Sequence, residues 1–300
     1  MAVIDLHCHS TVSDGGDSPA ELVRKAAAAG LASIALTDHD NDSGCDEAVA
    51  EGARVGVEVV RGVEISCDVS DLEARGLRTT ARPTMHLLGY LVPAGENPLS
   101  EALAELQAAR AGRNHLMVER LVELGIPVTF EEVESEAGGP GAQIGRPHFA
   151  AVLVRHGAVP DYQRAFDEYL AKGAPAYVDR KLYRPAEAIE LMLAAGVVPV
   201  LAHPFTLMLA PQDLESFVKA LVASGLRGIE GYHGDWPLET QQPIRTLAGR
   251  HGLVVSGGSD YHGDMRPDRR LPGGRHGVVV PDDTLEQLRK VAPSIPGTAK

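Results

Sequence analysis

Histidine and carboxylate side chains recur at the ends of predicted strands in this chain. His7 and His9 are separated by one residue at the end of the first predicted strand, 3–7. Residues two apart on a strand point to the same face, so both imidazoles can address one metal ion. Asp260 and His262 repeat this spacing just beyond another predicted strand. Two such pairs are difficult to attribute to packing, so we expect a metal site.

Four further candidate ligands lie beside or within other predicted strands: His39, Glu64, His86 and His203. A single buried histidine is more often a hydrogen-bonded core residue than a metal ligand. The carboxyl ends of strands, however, form the active-site face of α/β barrels, where chemically capable residues accumulate. Carboxylate oxygens mixed with imidazoles favour Mn²⁺, Fe²⁺ or Zn²⁺, and the lack of converging thiolates argues against an iron–sulfur cluster.

The order of predicted elements indicates how these residues are positioned. Apolar strands alternate with helices over 3–60 and again over 185–256, which predicts a mainly parallel sheet or a barrel. The segment 71–84 lacks apolar periodicity and joins two strand-like runs, 63–67 and 85–91, so it is predicted to be a long hairpin loop. The fold class is therefore α/β.

The middle of the chain has a different pattern, because only helical periodicity is found between residues 97 and 172. We interpret residues 98–172 as a small helical insertion, and residues 1–97 with 173–300 as the discontinuous domain that carries the candidate ligands. The predicted helices of the insertion are 99–124, 129–136, 146–156 and 161–171.

The sequence resembles the polymerase-and-histidinol-phosphatase (PHP) family over residues 3 to about 290. Six segments carry the resemblance, in the family's order: DLHCHSTVSDG (Asp5–Gly15), ALTDHD (Ala35–Asp40), GVEIS (Gly62–Ser66), HLLGY (His86–Tyr90), LAHP (Leu201–Pro204) and GSDYH (Gly258–His262). The resemblance implies a distorted seven-stranded (β/α)7 barrel with a trinuclear metal centre at the carboxyl ends of the strands.

The resemblance also implies which residues hold the three divalent ions, expected to be Mn²⁺, Fe²⁺ or Zn²⁺ with Mg²⁺ as a further candidate. The first ion would be held by His7, His9, Glu64 and Asp260. The second would be held by Asp14, His39 and His262. The third would be held by Glu64, His86 and His203, with Glu64 bridging. Asp5 and Asp38 lie in the same motifs and are predicted to orient imidazoles, with capping of adjacent turns as the alternative.

Clustered divalent ions lower the pKa of a bridging water and clamp the oxygens of a phosphoryl group. The expected reaction is therefore phosphate-ester hydrolysis by in-line attack of a hydroxide that bridges the metals. Amide hydrolysis, as in amidohydrolases, is the alternative chemistry. The alternative functions on this fold are histidinol phosphate hydrolysis, 5′–3′ exonucleolytic trimming of short RNA and a non-catalytic scaffold.

The segment GRPHFA (Gly145–Ala150) resembles an element of the PHP nucleotide phosphatases, which act on AMP or on 3′,5′-bisphosphonucleotides and in which the insertion caps the site. By this resemblance Arg146 and His148 contact the substrate phosphate, and His148 is a candidate proton donor. An arginine at a helix N-terminus opposes the helix dipole unless an anion is near, although a solvated charge is the alternative. Arg110 and Arg113 share a helical face and are predicted to line the same cap, with a solvated surface as the alternative.

Two other groups of residues are candidates for substrate contact. His233 lies at the end of the predicted strand 228–230 and is a candidate proton donor to the leaving group. The arginines of the run 266–270 are predicted to be solvated, with contact to the substrate as the alternative. Arg75, Arg78 and Arg82 of the loop 71–84 are candidates for extending a rim around the substrate.

Composition limits the partners of this chain. Its 28 Lys and Arg residues against 41 Asp and Glu residues give a net charge of −13, which disfavours stable binding to long nucleic acids or to anionic membranes. No apolar run approaches the roughly 18 residues of a membrane span. A first strand that starts almost at Met1 leaves no room for a signal peptide, so we expect a cytoplasmic location. The expected partner is a small phosphorylated substrate, a nucleotide, and no oligomeric state is predicted.

Overall fold

The computed structural model describes residues 3–80, 83–139 and 142–293. Seven strands form one sheet in the order of the chain, and this sheet curves into a nearly closed barrel, which confirms the predicted α/β barrel fold. The strands are β1 (Val3–Cys8), β2 (Leu31–Leu36), β3 (Glu58–Ser66), β4 (His86–Tyr90), β5 (Val198–Leu201), β6 (Gly228–His233) and β7 (Val254–Gly258).

One strand runs against the others. Strand β4 pairs antiparallel with both β3 and β5, whereas the remaining neighbouring pairs are parallel. In this register Ser66, the last residue of β3, lies opposite His86, the first residue of β4. His86 therefore reaches the same end of the barrel as the carboxyl ends of the other strands, although it begins its own strand.

Strand β3 corrects the sequence-based prediction, in which the first alternating region ended at residue 60 and a separate strand-like run covered 63–67. The strand continues through Gly62 because this glycine lets two strands approach closely. A Cβ atom on Gly62 would lie 2.8 Å from Cγ2 of Thr37 and 2.9 Å from the carbonyl oxygen of Leu36. The glycine thus marks a close approach of β3 to the end of β2 rather than a strand end.

The barrel closes between β7 and β1. The backbone N–H of His9 donates to the carbonyl of Tyr261 at 2.9 Å, just beyond the two strands. A Cβ atom on Gly258 would lie 2.4 Å from the backbone nitrogen of His7, so only glycine allows this approach. This closure brings together the two pairs predicted from the sequence, His7 with His9 and Asp260 with His262.

The helices begin and end largely where the periodicity predicts. Ser18 and Glu21 form the predicted capping box of the first helix, which Pro19 opens. The predicted helix 161–171 is instead a short α-helix followed by a wider π-helical turn, Phe166–Leu170. The α-helices are α1 (Pro19–Ala28), α2 (Cys45–Val55), α3 (Ser70–Ala74), α4 (Pro98–Glu123), α5 (Phe130–Glu136), α6 (Arg146–Arg155), α7 (Tyr162–Ala165), α8 (Pro185–Ala194), α9 (Pro211–Ala223), α10 (Gln242–His251) and α11 (Thr284–Lys290).

Helix α4 links the barrel to the helices that follow it. Near its start, Leu99 and Leu106 belong to the apolar cluster of the barrel, whereas Met117 and Leu121 belong to a separate cluster built around Phe149. The middle turns of α4, which carry Arg110 and Arg113, therefore lie where the two cores meet. The boundaries of the insertion at 97/98 and 172/173 stay a prediction.

None of the helices in the described part of the chain combines the length and the apolar character that a membrane span requires.

Candidate active site

The buried carboxylate of Glu64 lies at the centre of the site. The residue is only 1% exposed, and both of its carboxylate oxygens face imidazole nitrogens. Oε2 lies 3.3 Å from Nε2 of His7, 3.2 Å from Nε2 of His9 and 3.1 Å from Nδ1 of His39. Oε1 lies 2.9 Å from Nδ1 of His86 and 2.8 Å from Nε2 of His203. Five imidazoles from three strand ends and one strand start thus surround the carboxylate for which the resemblance predicts a bridging role.

The remaining predicted ligands, Asp14, Asp260 and His262, lie beside the imidazoles of His7, His9 and His39. Oδ1 of Asp260 lies 3.6 Å from Nε2 of His7 and 3.3 Å from Nε2 of His9. Oδ1 of Asp14 lies 3.3 Å from Nε2 of His262. The ligand atoms within each of three groups lie within 4.8 Å of one another, and the groups are His7, His9 and Asp260; His9, Asp14, His39 and His262; and His39, Glu64 and His86. We call the residues of these groups, together with His203, the metal cluster.

The donor atoms of the metal cluster fit divalent ions. Three buried ring nitrogens, Nε2 of His7, Nε2 of His9 and Nδ1 of His39, have no hydrogen-bond partner among the described residues. Such an unsatisfied buried polar atom is costly, and all three point at carboxylate oxygens, where an ion would satisfy both. The mixture of imidazole and carboxylate suits Mn²⁺, Fe²⁺ or Zn²⁺.

The carboxylates of the metal cluster are ionised at neutral pH. Burial alone would raise the pKa of Glu64, but the imidazoles of His39, His86 and His7 hold that pKa well below its usual value. The pKa values of Asp14 and Asp260 are likewise held well below their usual range by neighbouring imidazoles, against the effect of burial. These groups are therefore ready to bind cations without first losing a proton.

Backbone strain is concentrated in the same place. Asp40, His203 and Asp260 have positive φ angles of 53°, 22° and 54°. Such conformations are costly for residues other than glycine, and they persist where the surrounding structure holds them. Each of the three lies just beyond a strand end, where the turn directs a side chain into the site.

Sequence reasoning missed a carboxylate that orients the imidazoles. Glu230, buried in β6, accepts a hydrogen bond from Nδ1 of His7 at 2.9 Å and from the backbone N–H of His203 at 2.7 Å. The first bond places the lone pair of His7 on Nε2, which faces Glu64 and Asp260. Its signal in the sequence was a carboxylate within an otherwise apolar strand. His203 is oriented in the same way by Oγ1 of Thr206, 2.9 Å from its Nδ1.

Asp5 and Asp38 have contacts that differ from those predicted. Oδ1 of Asp5 accepts the backbone N–H of Ser259 at 2.9 Å, and Asp38 accepts the backbone N–H of Ser10 at 2.8 Å and the hydroxyls of Ser10 and Ser13. These carboxylates hold the turns that carry the ligands, in agreement with the capping alternative rather than with orientation of imidazoles.

His233 lies beneath the metal cluster rather than beside an open rim. The residue is 1% exposed, and its Nε2 lies 3.6 Å from Oδ2 of Asp260 and 4.0 Å from Oε2 of Glu230. His7, Glu230 and His233 also lie close enough together to hold an ion, but His7 already donates to Glu230 through Nδ1. Burial removes the ring from solvent, so the predicted role as proton donor to a leaving group does not fit this position.

Four arginines meet beside the metal cluster, and we call Arg110, Arg113, Arg146 and Arg180 the arginine cluster. Arg110 and Arg180 both form ion pairs with the buried Asp40, which directly follows the predicted ligand His39. Arg180, which precedes α8 in a segment without regular structure, was missed because no periodicity or motif marks it. The pKa of Asp40 is held at about 2 by Arg110 and Arg180, although its burial acts in the opposite direction.

Arg113 is the least compensated member of the arginine cluster. It is 6% exposed, has no ion-pair partner among the described residues, and has a contact of 3.5 Å between Nη1 and Sδ of Met117. Burial, reinforced by repulsion from Arg110, Arg180 and Arg146, lowers the pKa of Arg113 to about 9. A guanidinium in this environment would be stabilised by an anion.

The GRPHFA segment begins α6 as predicted, and its two candidate residues, Arg146 and His148, lie at the arginine cluster. Arg146 lies over the rings of Phe166 and Tyr177, with 5.8 and 5.7 Å from its Cζ to their centroids. His148 is 5% exposed, and its Nδ1 accepts the backbone N–H of Gly145, which leaves the ring proton on Nε2. Burial lowers the pKa of His148, partly offset by Asp14 of the metal cluster.

The arginines of the run 266–270 separate into two kinds. Arg266 and Arg270 are exposed, as expected for a solvated loop. Arg269 is instead partly buried and forms an ion pair with Asp260 at 2.6 Å. In the loop 71–84, Arg75 and Arg78 are exposed and Arg82 lies outside the described residues.

Comparison with known proteins agrees with this site. A model of the PHP domain matches residues 5–128. A 3′,5′-nucleoside bisphosphate phosphatase from Chromobacterium violaceum is 35% identical over 262 residues, which cover 87% of this chain and 88% of the relative. The chain belongs to the PHP family. This membership, together with the site, makes it a metal-dependent phosphoesterase, an enzyme that hydrolyses phosphate esters.

Two further PHP family comparisons cover nearly the same length. A 5′-3′ exoribonuclease from Haemophilus influenzae is 33% identical over 258 residues, which cover 86% of this chain and 89% of the relative. The crystal structure of a proposed metal-dependent phosphoesterase from Bifidobacterium adolescentis is 30% identical, covers 99% of both chains and has a TM-score of 0.79. The family resemblance read from the six motifs is thereby confirmed.

Proposed function

We propose that this phosphoesterase removes the 3′-phosphate of a 3′,5′-bisphosphonucleotide. The metal cluster takes the reacting phosphate, and the arginine cluster takes the phosphate that stays on the product. A 5′-nucleotide such as AMP is the lesser substrate, because its single phosphate cannot occupy both clusters. The proposal extends to three bound divalent ions, held by the three ligand sets that the family resemblance implies.

The observation that carries the proposal is the uncompensated charge of Arg113. A buried guanidinium that lies among three others, with no carboxylate partner in the described part of the chain, destabilises the free enzyme. A dianionic phosphate would offset that charge, and fork-shaped guanidinium groups bind two phosphoryl oxygens at once. A substrate with a second phosphate therefore fits this pocket better than the amine of histidinol phosphate.

The two clusters are close enough to serve one small molecule. Asp40, which pairs with Arg110 and Arg180, directly follows His39 of the metal cluster. His148 is influenced electrostatically by Asp14 on one side and by Arg110 on the other. Nε2 of Gln143 donates to the carbonyl of His39 at 2.8 Å, which fixes the start of α6 against the barrel.

His148 is the proposed hydrogen-bond donor between the clusters. In the free enzyme its lowered pKa keeps the ring neutral, with the proton on Nε2. An anionic phosphate beside the ring accepts a hydrogen bond from Nε2–H and raises this pKa. To act as proton donor to the leaving group, the ring first takes up a second proton on Nδ1, in place of the hydrogen bond from Gly145. Arg146 binds the phosphate beside it. When bound, divalent ions supply Lewis-acid activation of the ester and of water.

The relatives support this choice of substrate class. The Chromobacterium violaceum relative is named for the hydrolysis of 3′,5′-nucleoside bisphosphates, and the Haemophilus influenzae relative is named a 5′-3′ exoribonuclease. Both names concern nucleotides. A net charge of −13 favours a small substrate over a long RNA for this chain.

The test is phosphate release by protein loaded with Mn²⁺, with the bound metal counted in the same samples. The substrates are 3′,5′-bisphosphoadenosine, AMP, histidinol phosphate and a short RNA with a 5′-phosphate. We expect the highest kcat/KM with 3′,5′-bisphosphoadenosine and loss of turnover when a chelator removes the metal. Preference for histidinol phosphate or for the RNA, by a fully metallated sample, would contradict the proposal.

A further inference from the structure

The two oxygens of Asp260 have different surroundings. Oδ1 faces Nε2 of His9 at 3.3 Å and Nε2 of His7 at 3.6 Å, where the ligand set places an ion. Oδ2 faces two basic groups instead, Nη1 of Arg269 at 2.6 Å and Nε2 of His233 at 3.6 Å. The carboxylate therefore has a ligand side and a side that faces basic groups.

Arg269 is fixed in this position by a second carboxylate. Asp235, just after β6, accepts from Nε of Arg269 at 3.1 Å and from Nη2 at 2.6 Å. This two-point contact leaves Nη1 of Arg269 to form the ion pair with Oδ2 of Asp260 and to donate a hydrogen bond, at 3.0 Å, to the backbone carbonyl of Asp260. The planar guanidinium thus holds both the side chain and the backbone of a residue whose φ angle is strained.

The same loop fixes the other basic group. The backbone N–H of Asp235 donates to Nδ1 of His233 at 3.1 Å, so the ring proton lies on Nε2, the atom that faces Asp260. The side-chain amide of Gln241 holds the backbone of His233 from both sides, at 2.7 Å to its N–H and 2.9 Å to its carbonyl. Asp235 therefore organises both basic groups that face Oδ2.

We propose that Arg269 and His233 act as positioning residues that hold Oδ2 of Asp260, so that this carboxylate presents only Oδ1 to a bound metal ion. The inference rests on the proposed ligand set, in which Asp260 binds metal. It gives His233 a role that its burial permits, and it explains why Arg269 is partly buried while Arg266 and Arg270 are exposed. Hydrogen-bond partners of metal ligands commonly tune metal affinity in this way.

The test compares Mn²⁺ affinity, measured by competition with a chelator, in Arg269→Gln, Arg269→Lys and the exposed neighbour Arg270→Gln. We expect Arg269→Gln to weaken Mn²⁺ binding about 10- to 100-fold. Arg269→Lys should restore part of the affinity, since one ammonium replaces the contact with Asp260 but not the two-point contact with Asp235. Arg270→Gln should bind Mn²⁺ like the unmodified enzyme.

Two further variants keep the test decisive. If Arg269→Gln does not fold, Asp235→Asn weakens the same arrangement from the far side and should also lower Mn²⁺ affinity. Asp260→Asn separates the two proposals: unchanged metal content in this variant would contradict the ligand set itself. Loss of metal in Asp260→Asn, together with unchanged affinity in Arg269→Gln and Asp235→Asn, would overturn the positioning role alone.

Discussion

The metal cluster and the arginine cluster both concentrate buried charge, but they compensate it differently. In the metal cluster each carboxylate lies among imidazoles, as Glu64 does at distances of 2.8 to 3.3 Å. In the arginine cluster the described residues provide one carboxylate partner, Asp40, which pairs with Arg110 and Arg180. Arg113 has none among them. This difference underlies the proposal that cations complete the first region and that a substrate anion brings the charge that the second region lacks.

The largest expected effect comes from removing the central carboxylate of the metal cluster. Glu64→Gln deletes the charge that faces five imidazoles, and the loss of several kcal/mol of metal-derived stabilisation corresponds to a fall in kcat of about 1000-fold or more. Elemental analysis should show less bound metal. Glu58→Gln, at the exposed start of the same strand, is the matched control. A full metal complement in Glu64→Gln would show that the cluster does not depend on this carboxylate.

A smaller effect is expected from the carboxylate behind the metal cluster. Glu230→Gln removes the charged acceptor that fixes the ring of His7, which should weaken metal binding or lower activity by about 10- to 100-fold. Metal titration and kcat measurements at saturating Mn²⁺ distinguish the two effects. Glu239→Gln, in the exposed turn after β6, serves as control. Wild-type metal affinity and kcat in Glu230→Gln would mean that His7 is oriented by packing alone.

The internal carboxylate of the arginine cluster should make stability depend on pH. The pKa of Asp40 is about 2 in the folded protein, whereas its ordinary value, which applies to the unfolded chain, is 3.8. The ionised group therefore stabilises the fold above about pH 4. This contribution, about 2 kcal/mol, is lost as the pH falls from about 4 to 2. The stability difference between the unmodified enzyme and Asp40→Asn in urea unfolding should therefore shrink over that range. The exposed control Asp282→Asn should show no such change with pH. A stability difference between the unmodified enzyme and Asp40→Asn that stays constant with pH would contradict the ion pairs of Asp40 with Arg110 and Arg180.

The smallest expected effect is a gain rather than a loss, in the free energy of unfolding. Replacing Arg113 by methionine removes an uncompensated buried charge while keeping much of its volume, so Arg113→Met should raise the free energy of unfolding by about 1 kcal/mol. The same variant should bind 3′,5′-bisphosphoadenosine more weakly, with a higher KM. Arg164→Met, at an exposed position in α7, provides the comparison. A less stable Arg113→Met would indicate that this charge is compensated within the free enzyme.

Much of the fold and of the metal cluster could be predicted from the sequence, because candidate ligands at strand ends can be recognised by their two-residue spacing after an apolar run. His7 with His9, and Asp260 with His262, form pairs that the barrel closure brings together. His86 was the harder case, since it begins its strand. Only the antiparallel direction of β4, which follows from the hairpin with β3, explains its place among residues that end theirs.

The residues that were missed act through contacts between distant segments. Glu230 contacts His7 across 223 residues, and Arg180 joins Arg110 at Asp40 from a segment without helical or strand periodicity. Arg269 looks like its exposed neighbours in the sequence and differs only because Asp235 and Asp260 lie above it in the fold. Periodicity and motifs report local structure, whereas these pairings depend on how the loops meet at the barrel end.

The central claim is that a second phosphate occupies the arginine cluster while the metal cluster holds the reacting one. The most direct test is kcat/KM for 3′,5′-bisphosphoadenosine and for AMP, measured with the Mn²⁺-loaded enzyme and with Arg180→Gln. Loss of a charged hydrogen bond, about 1.5 to 3 kcal/mol, should lower kcat/KM for the bisphosphate about 10- to 100-fold and leave AMP nearly unchanged. An equal fall for both substrates, or no fall for either, would contradict the account.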